Sequence, residues 1–200
     1  MDNTVITIGR QFGSGGSDVG KLLAGELKIA YYDKELLQVA AAESGLNQQI
    51  FEKADEKEPA RLAFAFHSTG CCGLHEDFLS NERLFMMQCD AIRLIAERES
   101  CVIIGRCSDY VLRDFPRHLS VFIHDTPENR VDRITKKLNI GAQAARDMMD
   151  RIDRVRASYY NYFTDKCWGK AESYNLSIDV SILGTEATAV FLKDLIARTF

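Results

Sequence analysis

The segment that most constrains this chain is its start, where the β-branched run Thr4-Val5-Ile6-Thr7-Ile8 passes directly into Gly9-Arg10-Gln11-Phe12-Gly13-Ser14-Gly15-Gly16-Ser17. β-Branched residues favour extended backbone and clustered glycines favour a turn, so the segment reads as strand, then loop. Val19, Leu22, Leu23 and Leu27 follow at helical spacing and predict a helix with one apolar stripe. A strand that delivers a glycine-rich loop onto a helix N-terminus aims backbone N–H groups at one point, and glycine lets the backbone approach an anion without a Cβ in the way. Gly13, Ser14, Gly15, Gly16, Ser17 and Asp18 are therefore the candidate phosphate-binding positions, with plain turn chemistry as the alternative.

Set against G-x-x-x-x-G-K-[ST], the loop departs at two points: Arg10 stands at the first glycine and Gly16 at the lysine, while Ser17 keeps the hydroxyl. Arg10 is the nearest cation that can take over the lysine's charge. Lys21 lies about one turn into the helix and is expected to point away.

The same alternation continues along the chain. Ile29 to Tyr32 predicts a short strand, and Asp33 caps a helix carrying Leu36, Leu37 and Ala40 that stops at Gly45. Residues 47–80 lack periodicity and read as a peripheral insertion, part of an acceptor-side segment at about 31–80. A long helix is expected from Asn81 as cap to about Glu99, followed by a buried strand Cys101-Val102-Ile103-Ile104 that Gly105 ends. Leu119 to Ile123 is another strand, and Thr126-Pro127-Glu128 opens a helix continued by Val131, Ile134 and Leu138. After Gly141 comes a helix with Ala145, Met148, Met149, Ile152 and Val155 inward. Leu176, Ile178 and Val180 alternate as a last strand, Thr185 caps, and Val190, Phe191 and Leu195 drive a closing helix. Strand and helix repeated in this way predict an α/β fold with a parallel sheet covered by helices on both faces.

A length of 200 residues, 46% apolar with three prolines, suits a single domain over 1–200. The balance of 25 Lys+Arg against 29 Asp+Glu, net −4, excludes a broad nucleic-acid surface, so any anion site must be a local cluster. The start lacks the pattern of a secretory signal, and no stretch approaches the ~20 apolar residues of a membrane span, so a cytoplasmic protein without a membrane partner is expected. The six cysteines then read as reduced, separate, small apolar residues. His67, Cys71, Cys72 and His75 are dense enough to suggest zinc, but they lack a paired Cys-x-x-Cys knuckle and are expected to form an ordinary loop.

Two further groups carry chemistry. Arg106, in Ile103-Ile104-Gly105-Arg106-Cys107-Ser108-Asp109, follows a buried strand, at the edge where open α/β sheets bind ligands, and can grip a phosphate with its fork. A surface pair with Asp109 or Asp114 is the alternative. The helix after Gly141 bears Arg146, Asp147, Asp150, Arg151, Asp153, Arg154 and Arg156. Asp147–Arg151 and Asp150–Arg154 are i,i+4 pairs of a solvated face; alternatively the helix is a lid, at about 139–170, that carries arginines onto polyphosphate. Arg146, Asp153 and Arg156 project to one side and form the preferred set.

Three segments together resemble the cytidylate kinase-like family: Ile6 to Gly16, Tyr31-Tyr32-Asp33-Lys34-Glu35-Leu36-Leu37, and Val102-Ile103-Ile104-Gly105-Arg106. Asp153-Arg154-Val155-Arg156-Ala157-Ser158-Tyr159-Tyr160, Trp168 and Tyr174-Asn175-Leu176 fit the same family. The resemblance implies a three-layer α/β/α P-loop nucleotide kinase-like fold with a five-stranded parallel sheet and a helical lid. It also implies ATP at the glycine loop, Mg²⁺ at the Ser17 hydroxyl, and transfer of the γ-phosphoryl group to a nucleoside monophosphate. Asp33 and Arg106 would then serve the acceptor, with Asp153 beside them, while Arg10, Arg146 and Arg156 act on the donor and transferring group. Cys107 replaces the aspartate of the family's Gly-Arg-Asp motif. A nucleotide-binding regulatory module without turnover and a kinase for a non-nucleotide metabolite are the competing readings. Self-association stays open.

Overall fold

A computed structural model of the chain describes residues 3–33 and 74–200. Its strands are β1 (Val5–Arg10), β2 (Ala30–Tyr32), β3 (Cys101–Ile104), β4 (His118–His124) and β5 (Leu176–Asp179). They form a five-stranded sheet in the order β2-β3-β1-β4-β5. Every pairing is parallel, with Val5 opposite Cys101 and His118, Tyr32 opposite Ile103, and His124 opposite Asp179. All the strands therefore end at one edge.

β1 is central because it is apolar on both faces. Ile6 and Ile8 pack with Val19 and Leu23 of α1 (Gly16–Leu27) and with Ala189, Leu192 and Ile196 of α6 (Val180–Thr199). Val5 faces the opposite layer, where Cys89, Ile92 and Ile95 of α2 (Leu74–Arg98) and Val111 of α3 (Ser108–Val111) meet Cys101 and Ile103. Helices thus cover both faces, as a parallel sheet requires. Removing a fully buried side chain such as Leu23 or Ile95 would cost ~2–5 kcal/mol through lost transfer energy and the cavity left behind. α4 (Pro127–Leu138) and α5 (Ala142–Phe163) stack beyond the carboxyl edge of the sheet through Val131, Ile134, Ala145 and Met149. An aromatic group of Phe122, Tyr160 and Tyr174, with Trp168 edge-on to Phe122 at 5.2 Å, joins β4 to the end of α5.

Several local expectations need correction. Leu22 is 40% exposed, and α1 buries Val19, Gly20, Leu23 and Ala24. Asn81 lies inside α2, which is already helical from Leu74. Thr126 caps α4 as expected, accepting from the Asn129 N–H, but Leu138 in its last turn is exposed. β5 stops at Asp179, whose side chain caps α6 at Ser181, so Val180 is helical. Gly184 (φ 76°, ψ 172°) then breaks the helix and resets its phase, so Thr188, Ala189, Leu192 and Ile196 face inward while Val190 and Phe191 face out.

Within the segment assigned to an acceptor-side insertion, residues 31–33 belong to β2 and the bend after it, 74–80 belong to α2, and 34–73 lie outside the described residues. The Leu36–Ala40 helix, Gly45, and His67, Cys71 and Cys72 lie there, as does the side chain of His75. Cys89, Cys101, Cys107 and Cys167 are free thiols. Among the described residues no helix is long and apolar enough to cross a membrane.

Candidate functional site

The loop between β1 and α1 closes into a compact cradle of backbone at the start of α1. The Gln11 N–H donates to the Ile123 carbonyl (3.1 Å), and buried Ser14 donates its N–H and its hydroxyl to the Gln11 carbonyl at 3.3 and 2.9 Å, closing the turn. Gly13 has φ 77°, and a Cβ there would come within 2.7 Å of Ile134 Cδ1 and 3.1 Å of the Arg130 carbonyl. Both conformation and space therefore require glycine. Gly15 brings no side-chain cap to α1; the Ser14 hydroxyl accepts from the Gly16 N–H at 3.4 Å, and the rest of the helix's positive end faces no side-chain cap. Asp18 lies in the first turn and is exposed. Lys21, one turn further on, is exposed, its Nζ 5.8 Å from the Tyr31 ring.

The cradle is held from outside by α4 and α5. Asp153 accepts from the Phe12 N–H at 2.7 Å and pairs with Arg130, whose Nε donates to the Phe12 carbonyl at 2.8 Å. Arg133 donates to the Gly13 carbonyl and pairs with buried Asp125 at 3.0 Å. Arg156 donates to the Arg10 carbonyl at 3.0 Å and lies over the Phe12 ring. Arg130 and Arg133 went unremarked in the sequence, yet one signal was present: Arg130 falls on the helix face of Val131 and Ile134, where a buried charge demands a partner.

Inside the cradle's mouth, cations converge. The Arg10 side chain runs from the end of β1 across the end of β3, with Nη2 3.6 Å from Asp33 Oδ1, and its buried Nε has no acceptor. Burial lowers the Arg10 pKa; Asp33 opposes that shift and Arg106 adds to it. Burial likewise pushes Arg156 down to about 9, helped by repulsion from Arg10 and Arg130 and opposed by Asp153 and Asp33. Guanidinium groups that depress one another's pKa in a largely dry site form a place where an added anion relieves repulsion. Arg106 sits on a turn in which Gly105, Arg106 and Cys107 all have positive φ (68°, 59° and 55°). Nearby, Asp109 is buried and accepts from the Tyr160 hydroxyl at 2.7 Å, and Asp114 pairs with Arg113. Burial, Asp109 and Cys89 push the Cys107 thiol pKa up, so it stays protonated.

Asp33 faces the loop. Its Oδ2 accepts from the Ser17 hydroxyl at 3.4 Å and from the Tyr31 hydroxyl at 3.3 Å, and burial together with Asp33 raises the Tyr31 pKa. A hydroxyl and a carboxylate at this separation are the hard oxygen donors that suit Mg²⁺, which takes few protein ligands and completes its shell with water and phosphate. Among the described residues there is no cluster of three or more His, Cys, Asp or Glu side chains that could hold a metal alone. Arg10, Ser17, Asp33, Arg106, Asp153 and Arg156 thus surround the loop, whereas Arg146 is exposed on α5. On the loop's other flank, a cleft of about 590 Å³ opens between Asn129, Arg133 and Lys136 of α4 and Val180, Ser181 and Gly184 of α6.

The model of the cytidylate kinase-like family matches residues 5–182. An uncharacterized protein from Eubacterium ventriosum ATCC 27560 has a similar structure, with TM-score 0.72 and 25% identity, covering 98% of this chain and 99% of that one. Shikimate kinase from Bacteroides thetaiotaomicron aligns with TM-score 0.55 at 15% identity, over 97% of this chain and 98% of its own. Shikimate kinase from Acinetobacter baumannii, in complex with shikimate, aligns with TM-score 0.52 at 15% identity, over 98% and 94%. At that identity the likeness concerns the fold, a P-loop kinase-like one. No curated protein matches the sequence significantly.

Proposed function

The chain belongs to the cytidylate kinase-like family, and from that premise we propose that it is a phosphotransferase moving the γ-phosphoryl group of ATP to a pyrimidine nucleoside monophosphate or a similar small acceptor. The observation that carries the reading is the convergence of Arg10, Arg106 and Arg156 at the carboxyl edge of the sheet, beside the glycine loop that opens α1. Phosphoryl transfer asks little covalent chemistry of a protein; it asks for positioning and for charge at the transferring group. An acceptor phosphate is already anionic at neutral pH, so no general base is required.

In this reading Gly13 to Ser17 hold the donor phosphates, and the cleft between α4 and α6 takes the rest of the donor nucleotide. Arg10 and Arg156 neutralise the transferring group, and Arg106 grips the acceptor phosphate. Asp33 stands between the donor and acceptor sides. Ser17 and Asp33 would hold Mg²⁺, which when bound screens the phosphate oxygens. Asp153 positions the loop through Phe12 and Arg130. α5, within a lid at about 139–170, brings Arg146 inward as it closes and excludes water. The whole of 1–200 acts as one domain.

The test is to incubate pure protein with Mg²⁺, ATP and a panel of nucleoside monophosphates, following ADP release and thermal stabilisation together. ADP release tied to one acceptor supports the kinase. Stabilisation by ATP without ADP release under any acceptor replaces it with a nucleotide-binding regulatory module.

A further inference from the structure

The two departures from G-x-x-x-x-G-K-[ST] touch each other in space. A Cβ built on Gly16, the lysine position, would lie 2.6 Å from Arg10 Cβ and 3.2 Å from Arg10 Cγ, with Ile123 Cβ at 3.2 Å. The first carbon of a lysine at 16 would thus fall where the first carbons of Arg10 already are. The guanidinium at the far end of Arg10 needs space as well: a Cβ on Gly105 would lie 2.3 Å from Arg10 Nη1.

We propose that Arg10 and Gly16 form one reciprocal exchange, in which the cation serving the donor phosphates is carried on the end of β1 instead of the first turn of α1, and Gly16 and Gly105 are the seats that admit it. The inference rests on the phosphotransferase reading above. Arginine in this place does something that lysine does not. Its planar fork can keep one Nη near Asp33 while another atom, such as the buried and unpartnered Nε, turns to phosphate oxygen. The side chain thereby links the carboxylate beside Ser17 to the phosphoryl group. The loop is a complete phosphate site with its charge on another residue, and restoring the lysine by itself damages it.

The experiment compares wild type, Arg10→Gly, Gly16→Lys and the double variant Arg10→Gly/Gly16→Lys by calorimetric titration with Mg²⁺ and β,γ-imido-ATP. Arg10→Gly is expected to weaken binding roughly ten- to a hundredfold, the loss of a charge-assisted hydrogen bond. Gly16→Lys alone is expected to bind more weakly than wild type, and the double variant to recover most of the Arg10→Gly loss. Because Gly16→Lys brings a clash, unfolding stability without nucleotide is measured for Gly16→Ala and for Arg10→Gly/Gly16→Ala. The cost of alanine at 16 should be clearly larger beside Arg10 than beside glycine, where only the 3.2 Å approach to Ile123 Cβ is left. A double lysine variant that binds no better than Arg10→Gly, or a Gly16→Lys single variant that binds as tightly as wild type, overturns the exchange. Failure of wild type itself to bind the nucleotide overturns the phosphotransferase reading and the exchange together; a binding wild type with no recovery in the double variant overturns the exchange alone.

Discussion

Asp153→Ala is the substitution whose consequence the structure fixes most tightly. Asp153 and Arg130 are 16% and 6% exposed, and Asp153 accepts from both the Phe12 N–H and Arg130. Removing the carboxylate leaves a buried guanidinium without its counter-charge and a loop amide without its acceptor. Breaking a buried pair from one side costs ~3–5 kcal/mol, because the orphaned charge stays desolvated. For a chain of this length that corresponds to a fall in Tm on the order of 10 °C. Urea unfolding monitored by circular dichroism measures the loss directly. Replacing both partners, as Arg130→Met/Asp153→Leu, should recover the part owed to the orphan charge but not the part owed to the Phe12 N–H and carbonyl, which both lose their partners. Both variants should respond less than wild type to added MgATP, because the loop has lost its tie to α5. An Asp153→Ala variant that loses less than ~1 kcal/mol, the range of an exposed ion pair, would refute the account of a buried clamp.

Three further outcomes follow from the same geometry. Gly13→Ala, with φ 77° and a Cβ 2.7 Å from Ile134 Cδ1, should destabilise by ~1–3 kcal/mol and abolish ATP-dependent stabilisation, which differential scanning calorimetry reads with and without nucleotide. Burial, with Lys166 adding, lowers the His118 pKa from 6.5 to about 4, and the ring contacts Thr7 Oγ1 at 2.8 Å. The unfolded chain therefore binds a proton that the folded chain refuses, so stability present above pH 6.5 should fall as pH drops toward 4, by at most ~3 kcal/mol, and His118→Gln should flatten that slope in urea titrations. Hydrogen exchange over 139–170 should slow on nucleotide binding if this segment is a lid; equal protection with and without nucleotide would make it plain scaffold.

Legibility from sequence followed the range of the interaction. The strand, the glycine loop and the α1 start were readable because turn chemistry and β-branching act between neighbours, and Thr126-Pro127 was readable as a cap for the same reason. Faces of helices were harder. Leu22, Leu138, Val190 and Phe191 each continue an apolar series, but the sheet selects the buried side, and the break at Gly184 shifts the phase of everything after it. The wiring of the site was least readable, since Asp153 meets Phe12 across 141 positions and Arg130 meets Asp153 across 23. The charges of Asp153 and Arg156 on α5 were visible as a helical pattern, but nothing in that pattern says that Asp153 turns to a loop amide and Arg156 to a loop carbonyl. Arg10 was legible as a candidate cation, but its contact with Gly16 joins a strand end to a helix start, which only the packed structure brings together.

The most direct measurement of the central claim is a crystal structure with Mg²⁺, β,γ-imido-ATP and whichever monophosphate best drives ADP release. The account predicts the triphosphate on the amides of Gly13 to Ser17, Mg²⁺ on the Ser17 hydroxyl and Asp33, the guanidinium groups of Arg10 and Arg156 on the γ-phosphate, and Arg106 on the acceptor phosphate. A triphosphate bound elsewhere, or a bound triphosphate whose γ-phosphate touches no nitrogen of the Arg10 or Arg156 guanidinium, would contradict it.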